Sequence, residues 1–140
     1  MAIPPIKTCI VCEGARAEVH GKWTLLGFFG VAPDVRVSFT DFSKPVTLCF
    51  AFIGGDADGK IRAGLRVIAP SGAVIPGAME TEGDFVGGKI STAFFMSFQA
   101  VVPGPGRYTV VLTLNGQDSF KTTVELVPGT LIGNPNMPHG

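Results

Sequence analysis

The dipeptide Asn115-Gly116 stands between two stretches in which apolar and polar residues alternate. One face of each stretch is mostly apolar, at positions 108, 110, 112 and 114 before the dipeptide and at 120, 122, 124 and 126 after it. Asparagine and glycine both tolerate a positive φ, which the two central residues of a type I′ turn require. The pattern therefore predicts a β-hairpin at the C-terminal end of the chain.

Comparable alternation recurs along the whole chain between short clusters of glycine, proline and other turn residues. It predicts further strands at about 6–13, 15–19, 22–29, 35–39, 46–53, 61–69 and 89–102, and no stretch shows capped helical periodicity. Many short strands need a second sheet to cover each apolar face. We expect an all-β, two-sheet antiparallel β-sandwich, immunoglobulin-like in style, over residues 1–127, followed by a C-terminal tail at 128–140.

Length and charge restrict the class of protein. The 140 residues make one domain, and eleven basic residues balance eleven acidic ones, so no net positive field favours nucleic acid. No run reaches the about eighteen apolar residues of a membrane span, and the N-terminus lacks the pattern of a signal peptide. Three cysteines do not make a disulfide framework. These features predict a location in the cytoplasm or within a particle.

Two predicted strands are apolar on both faces, which is unusual for a sheet that has one face exposed to solvent. Cys49, Ala51 and Ile53 lie opposite the apolar face of their strand, and Phe95 lies opposite the apolar face of another. Such strands need a cover on each side, which a loop at 30–45, another subunit or a ligand would supply. We take Cys49, Ala51, Ile53 and Phe95 as candidate interface residues, through which the chain contacts itself or another protein.

Trp23 and Tyr108 are candidate binding residues, because each has an aromatic ring and a polar tip that suit a sugar or peptide site. The alternative for both is a core position. Trp23 alternates with Leu25 on a predicted strand, and Tyr108 directly follows a turn.

The remaining motifs do not complete a chemical site. Cys9 and Cys12 have the spacing of a zinc or redox motif, but residues three apart on a strand point to opposite faces. The segment 55–60 resembles the start of a calcium loop, yet the twelfth position from Asp56 is Val67 where that loop needs a glutamate. No acid, histidine and nucleophile set is recognisable. We therefore expect no catalytic residues, no metal site, no cofactor and no enzyme activity.

Three segments carry a resemblance, CIVCEGARAEVHGKWTLLGFFG from Cys9, VIAPSG from Val67 and PGPGRYTVVLTLNG from Pro103. In these segments the chain resembles an uncharacterised bacterial domain family. The segments hold turn and core positions, and the latter two are also similar to immunoglobulin-like bacterial modules. The resemblance implies a β-sandwich and no particular activity.

Together these features predict a non-enzymatic structural or protein-interaction module that associates with itself, such as a component of a phage particle or another assembly. The alternative is a carbohydrate- or peptide-binding β-sandwich module, with its site in loops at one end of the sheets.

Overall fold

The computed structural model describes residues 3–76, 79–88 and 91–129, and within these ranges the chain is all-β with two sheets. The nine strands are β1 (Ile6–Ala17), β2 (Trp23–Val31), β3 (Arg36–Phe39), β4 (Val46–Gly54), β5 (Gly59–Ile68), β6 (Glu80–Phe85), β7 (Thr92–Ala100), β8 (Gly106–Leu114) and β9 (Gln117–Pro128). One 3₁₀ turn, Val19–Gly21, connects β1 to β2. The predicted tail lies outside the described residues from position 130 onward.

Sheet 1 has the order β2-β1-β4-β7 and is entirely antiparallel, whereas sheet 2 has the order β3-β9-β8-β5-β6. Within sheet 2, β3 runs parallel to β9, which departs from the purely antiparallel arrangement expected from the sequence. Because β3 belongs to sheet 2, the segment 30–45 is not a free loop lying over β4.

The predicted C-terminal hairpin is confirmed. Leu114 pairs with Gln117, and the two turn residues between them, Asn115 and Gly116, have φ values of 51° and 80°. These are the positive values that a type I′ turn demands. The hairpin forms the middle of sheet 2, so a locally specified turn fixes the register of two central strands.

The main core lies between the facing sides of the two sheets. Sheet 1 contributes mainly large aromatic and sulfur-containing side chains, and sheet 2 contributes aliphatic ones, as alternate residues of each strand turn inward. The principal contributors are Leu48, Phe50, Phe52, Phe94, Met96 and Phe98 from sheet 1, and Leu65, Val67, Val110, Leu112, Val124 and Leu126 from sheet 2. Burial of about 1.5–3 kcal/mol per large apolar side chain holds the sheets together.

Two strands differ from the sequence prediction. β1 is a single strand through Gly14, although a break was expected there, because Gly14 pairs with Leu26 and Ala15 with Leu25 in continuous register. β6 was not predicted as a separate strand, since its sequence ETEGDF is acidic and lacks apolar alternation. It lies at the edge of sheet 2, where pairing with β5 on one side suffices.

Candidate interaction surface

The β1–β2 hairpin has an irregular geometry at its middle. Val11 pairs with Gly30, but Cys12 pairs with Phe28, so β2 holds one extra residue, Phe29, at a bulge. Nearby, Gly27 has a φ of +62°, and a Cβ there would lie 2.5 Å from the side chain of Glu13. Glycine is therefore favoured at position 27, chiefly for the backbone conformation, because the exposed side chain of Glu13 can move aside.

Sheet 1 is a curled half-barrel. Trp23 of β2 stacks on Phe95 of β7, with ring centroids 4.1 Å apart and an angle of 23° between the ring planes. These residues belong to the two opposite edge strands of a four-stranded sheet. The stack therefore joins the two edges of sheet 1.

Small residues line the side of sheet 1 that is turned away from sheet 2. Cys12 pairs with Cys49, and Ala51 pairs with Phe95, so these side chains share that side with Phe95. Cys12, Cys49 and Ala51 are buried although they lie outside the main core. Their small volume suits a sheet that curls tightly.

The thiols of this small cluster are held in the protonated form. Burial is the principal cause that raises the pKa of Cys49 to about 12, and the neighbouring Cys12 raises it further. Burial also raises the pKa of Cys12, whose thiol lies 3.3 Å from the carbonyl oxygen of Gly14. Cys9 lies in the main core, on the other side of the sheet from Cys12, so these two cysteines do not converge. Among the described residues, no group of three or more metal-ligating side chains converges on a common point.

The exposed apolar side chains concentrate on β2. The five residues in question are Trp23 (49% exposed), Leu26 (45%), Phe28 (62%), Phe29 (37%) and Val31 (47%), and we call them the β2 surface. Leu26, Phe28 and Val31 pair with Gly14, Cys12 and Ile10, which are alternate residues of β1 and therefore share one face. β2 contains no charged residue. Among the described residues β2 pairs with β1 alone, so its other edge has no strand partner there, and we call it the open edge.

The outer side of sheet 2 contrasts with the β2 surface, because it is charged. Arg62 forms ion pairs with Glu80 and Glu82, and Arg66 forms one with Asp118 at 3.1 Å. These pairs are open to solvent and contribute little to stability. These ion pairs keep the outer side of sheet 2 hydrated, whereas β2 has no charged side chain that would do the same. A long, apolar, uncharged strand at an open edge is the kind of feature through which protein chains pair.

A groove of about 200 Å³ lies between β7, at the edge of sheet 1, and β6, at the edge of sheet 2. Trp23, Phe85, Phe94 and Phe95 supply its aromatic wall, while Thr81 and Glu82 add polar atoms. Trp23, a predicted binding residue, therefore lines this groove. The volume suits one sugar ring or one large side chain.

Tyr108 occupies a different position. Its ring is buried in the main core, and its hydroxyl donates a 2.6 Å hydrogen bond to the carbonyl oxygen of Gly104, four residues earlier. Burial raises the pKa of Tyr108. The side chain also touches a shallow cleft of about 240 Å³ that Pro70, Ser71 and Pro103 line. Its ring thus occupies a core position, which was the alternative to a binding role. The binding role of Tyr108 stays a prediction.

No family model matches this chain, and no curated protein matches it significantly. The resemblance to a bacterial domain family therefore rests on the turn and core segments alone. Within the described ranges, no helix has the length and apolarity needed to cross a membrane.

The four predicted interface residues divide into two pairs. Cys49 and Ala51 are covered within the single chain, whereas Ile53 and Phe95 are partly exposed. Phe95 lies against Trp23 and so adjoins the β2 surface. Their role as an interface stays a prediction, but the fold leaves far more apolar area open on β2 than at Cys49 and Ala51.

Sequence reasoning missed most of the β2 surface. It placed a strand at 22–29 but did not select Leu26, Phe28 or Val31. The available signal was the run WTLLGFFGV, nine residues without a charge and with apolar side chains on both faces. The sequence does not show that these side chains are exposed, because their exposure depends on β2 being an edge strand.

Two other polar features have local explanations. Asp58 and Asp56 accept hydrogen bonds from the backbone amides of Gly87 and Gly88, so the carboxylates of the calcium-like segment anchor the connection after β6. A cleft of about 430 Å³ contains Arg36, Arg107 and Glu125. Both arginines there form ion pairs with Glu125.

Proposed function

We propose that this protein is a non-enzymatic structural or protein-interaction module that associates with itself, and that the β2 surface carries the contact. The supporting observation is the concentration of five exposed apolar side chains on one uncharged strand with an open edge. An apolar patch of this kind, beside otherwise charged surface, is characteristic of sites where proteins bind one another. A component of a larger particle or other assembly would need such a contact.

The size of the surface indicates a weak contact. An aromatic side chain has about 150–250 Å² to bury, so the exposed parts of Trp23, Phe28 and Phe29 offer roughly 300 Å² together. A standard interface buries about 800 Å² on each partner. We therefore expect association that depends on concentration in the micromolar range, strengthened where many copies lie together.

The test is the molar mass in solution, measured by light scattering over a dilution series. The wild-type protein should exceed the monomer mass of 14.6 kDa at high concentration and approach it on dilution. Phe28→Lys should shift the equilibrium to monomer, because a charge would have to be buried in the contact. Val86→Lys is the matched control, since Val86 is an apolar residue away from β2 that is more exposed than Phe28, at 77% against 62%. A wild-type monomer throughout, or an identical effect of the two variants, would reject the proposal.

The immunoglobulin-like character of the sandwich is also a proposal. It is supported by the hydrogen bond from Tyr108 to Gly104 at the start of β8, which has the form of the tyrosine corner of such domains. The order β9-β8-β5 in sheet 2 and the neighbouring pair β4 and β7 in sheet 1 agree with this arrangement. The curl of sheet 1 and the added strand β2 would be departures from it.

A second candidate function is favoured by the groove beside Trp23. A carbohydrate- or peptide-binding module would use the stacked pair of Trp23 and Phe95 as a platform, with Thr81 and Glu82 orienting the ligand. Saccharides and short apolar peptides, added singly, should then raise the melting temperature of the wild type but not of Trp23→Ala. An absence of any shift across the panel would count against this function.

A further inference from the structure

The open edge of β2 has backbone groups that point away from β1. Glu18 donates its amide to the carbonyl of Lys22 at 2.8 Å, and Ala32 donates its amide to the carbonyl of Cys9 at 2.9 Å. The backbone groups of Ala32 are thus directed at β1, and those of Lys22 at Glu18, the residue that follows β1. Successive residues of a strand turn these groups to opposite sides. The amides and carbonyls of Leu25 and Val31 therefore face the open edge, and those of Trp23 face it where the Trp23 ring stacks on Phe95 of β7.

We infer that the partner of the β2 surface is a second copy of this chain, whose β2 pairs antiparallel with the first across a two-fold axis. This inference rests on the proposed function and specifies its geometry. The two four-stranded sheets would form one continuous sheet, with backbone hydrogen bonds between the copies. Such a contact is self-complementary, as two-fold symmetry requires.

Area favours edge pairing over contact through side chains alone. The roughly 300 Å² of exposed aromatic surface is less than half of a standard partner surface. A nine-residue strand is about 30 Å long, and pairing along it covers backbone as well as side chains. The bulge at Phe29 divides the strand, so the hydrogen-bonded contact consists of short ladders on either side of it.

Charge favours the antiparallel direction. Lys22 precedes β2 and Asp34 follows it, while the strand between them is uncharged. Antiparallel pairing brings the beginning of one strand near the end of the other, so Lys22 approaches Asp34 of the second copy at both ends. Parallel pairing would place like charges together, which opposes association.

The decisive variant is Leu25→Pro. Proline is tolerated in an edge strand where its missing amide would have faced solvent, and the amide of Leu25 makes no bond to β1 in this arrangement. The change should therefore keep the fold but remove a hydrogen bond between copies twice, once for each strand. We expect the dissociation constant of the dimer to rise about tenfold or more. Leu25→Ala, which keeps the amide, is the matched control and should have a much smaller effect.

The experiment is light scattering over a dilution series for the full chain, with circular dichroism and thermal unfolding to verify the fold. Equal weakening by Leu25→Pro and Leu25→Ala would overturn edge pairing. If Phe28→Lys still produced monomer in that case, the proposed function would stand with a face-to-face contact instead. A wild type that is monomeric at every concentration would overturn both.

A second pair of variants tests the direction if Leu25→Pro does not fold. Lys22→Glu should weaken the dimer by repulsion from Asp34 of the second copy, and Lys22→Glu combined with Asp34→Lys should restore it. Lys44→Glu is the control for a change of net charge alone. If Lys22→Glu has no more effect than Lys44→Glu, or if the double variant is no stronger than the single one, antiparallel pairing is wrong.

Discussion

The hydroxyl of Tyr108 offers a precise test of how the start of β8 is stabilised. Tyr108→Phe keeps the buried ring and removes only the group that donates to the carbonyl of Gly104 at 2.6 Å. Because no cavity forms, the change in the free energy of unfolding should equal the lost hydrogen bond, about 1–1.5 kcal/mol. For a chain of this length the melting temperature should fall by about 3–6 °C.

Urea unfolding followed by fluorescence or circular dichroism measures this directly. The midpoint should decrease while the slope with denaturant stays unchanged, since the same surface is exposed on unfolding. Tyr108→Ala provides the comparison, because loss of the ring from the core should cost about 3–5 kcal/mol. If Tyr108→Phe unfolds within experimental error of the wild type, the hydrogen bond does not stabilise the fold and the argument for a tyrosine corner fails.

Further variants test the other elements. Gly116→Ala should destabilise the protein by about 1–2 kcal/mol in chemical unfolding, because φ is +80° there although a Cβ would have space. Gly14→Ala, at a position that also has space but no positive φ, should cost nothing measurable in the same experiment. Burial raises the pKa values of Cys9 and Cys49 from 9.0 to about 12, so above pH 9 the folded protein keeps protons that the unfolded chain releases. The free energy of unfolding should therefore be full below pH 9 and decline towards pH 12. Cys49→Ala should flatten that decline. Arg66→Ala should change the free energy of unfolding by less than about 0.5 kcal/mol, because its ion pair is open to solvent; a larger loss would show that solvent does not screen it.

The sequence predicted the elements whose signals are local. The Asn115-Gly116 turn and its flanking alternation specify the C-terminal hairpin without help from the rest of the chain, and the structure confirms it. β6 escaped prediction because an acidic edge strand held by one neighbour carries no apolar alternation. The parallel pair of β3 and β9 also has no local signal, since it joins segments far apart in the chain.

The apolar outer side of β4 shows what a sequence can and cannot specify. Its two apolar faces predict that a cover exists, but a loop, a subunit or a ligand satisfies that pattern equally well. The structure buries Cys49 and Ala51 by curling the sheet, with Trp23 stacked on Phe95 across its two edges. The curl depends on pairing between distant strands, and it leaves the apolar side chains of β2 as the exposed ones instead.

Hydrogen exchange of the wild-type protein at high and low concentration tests most directly whether copies of this chain meet at β2. Peptides covering Trp23–Val31 should exchange more slowly at high concentration, while peptides from the central strands β8 and β9 should exchange equally at both. That result would localise association to β2 without any substitution. Equal exchange of β2 at both concentrations, or protection that appears on another strand, would contradict the account.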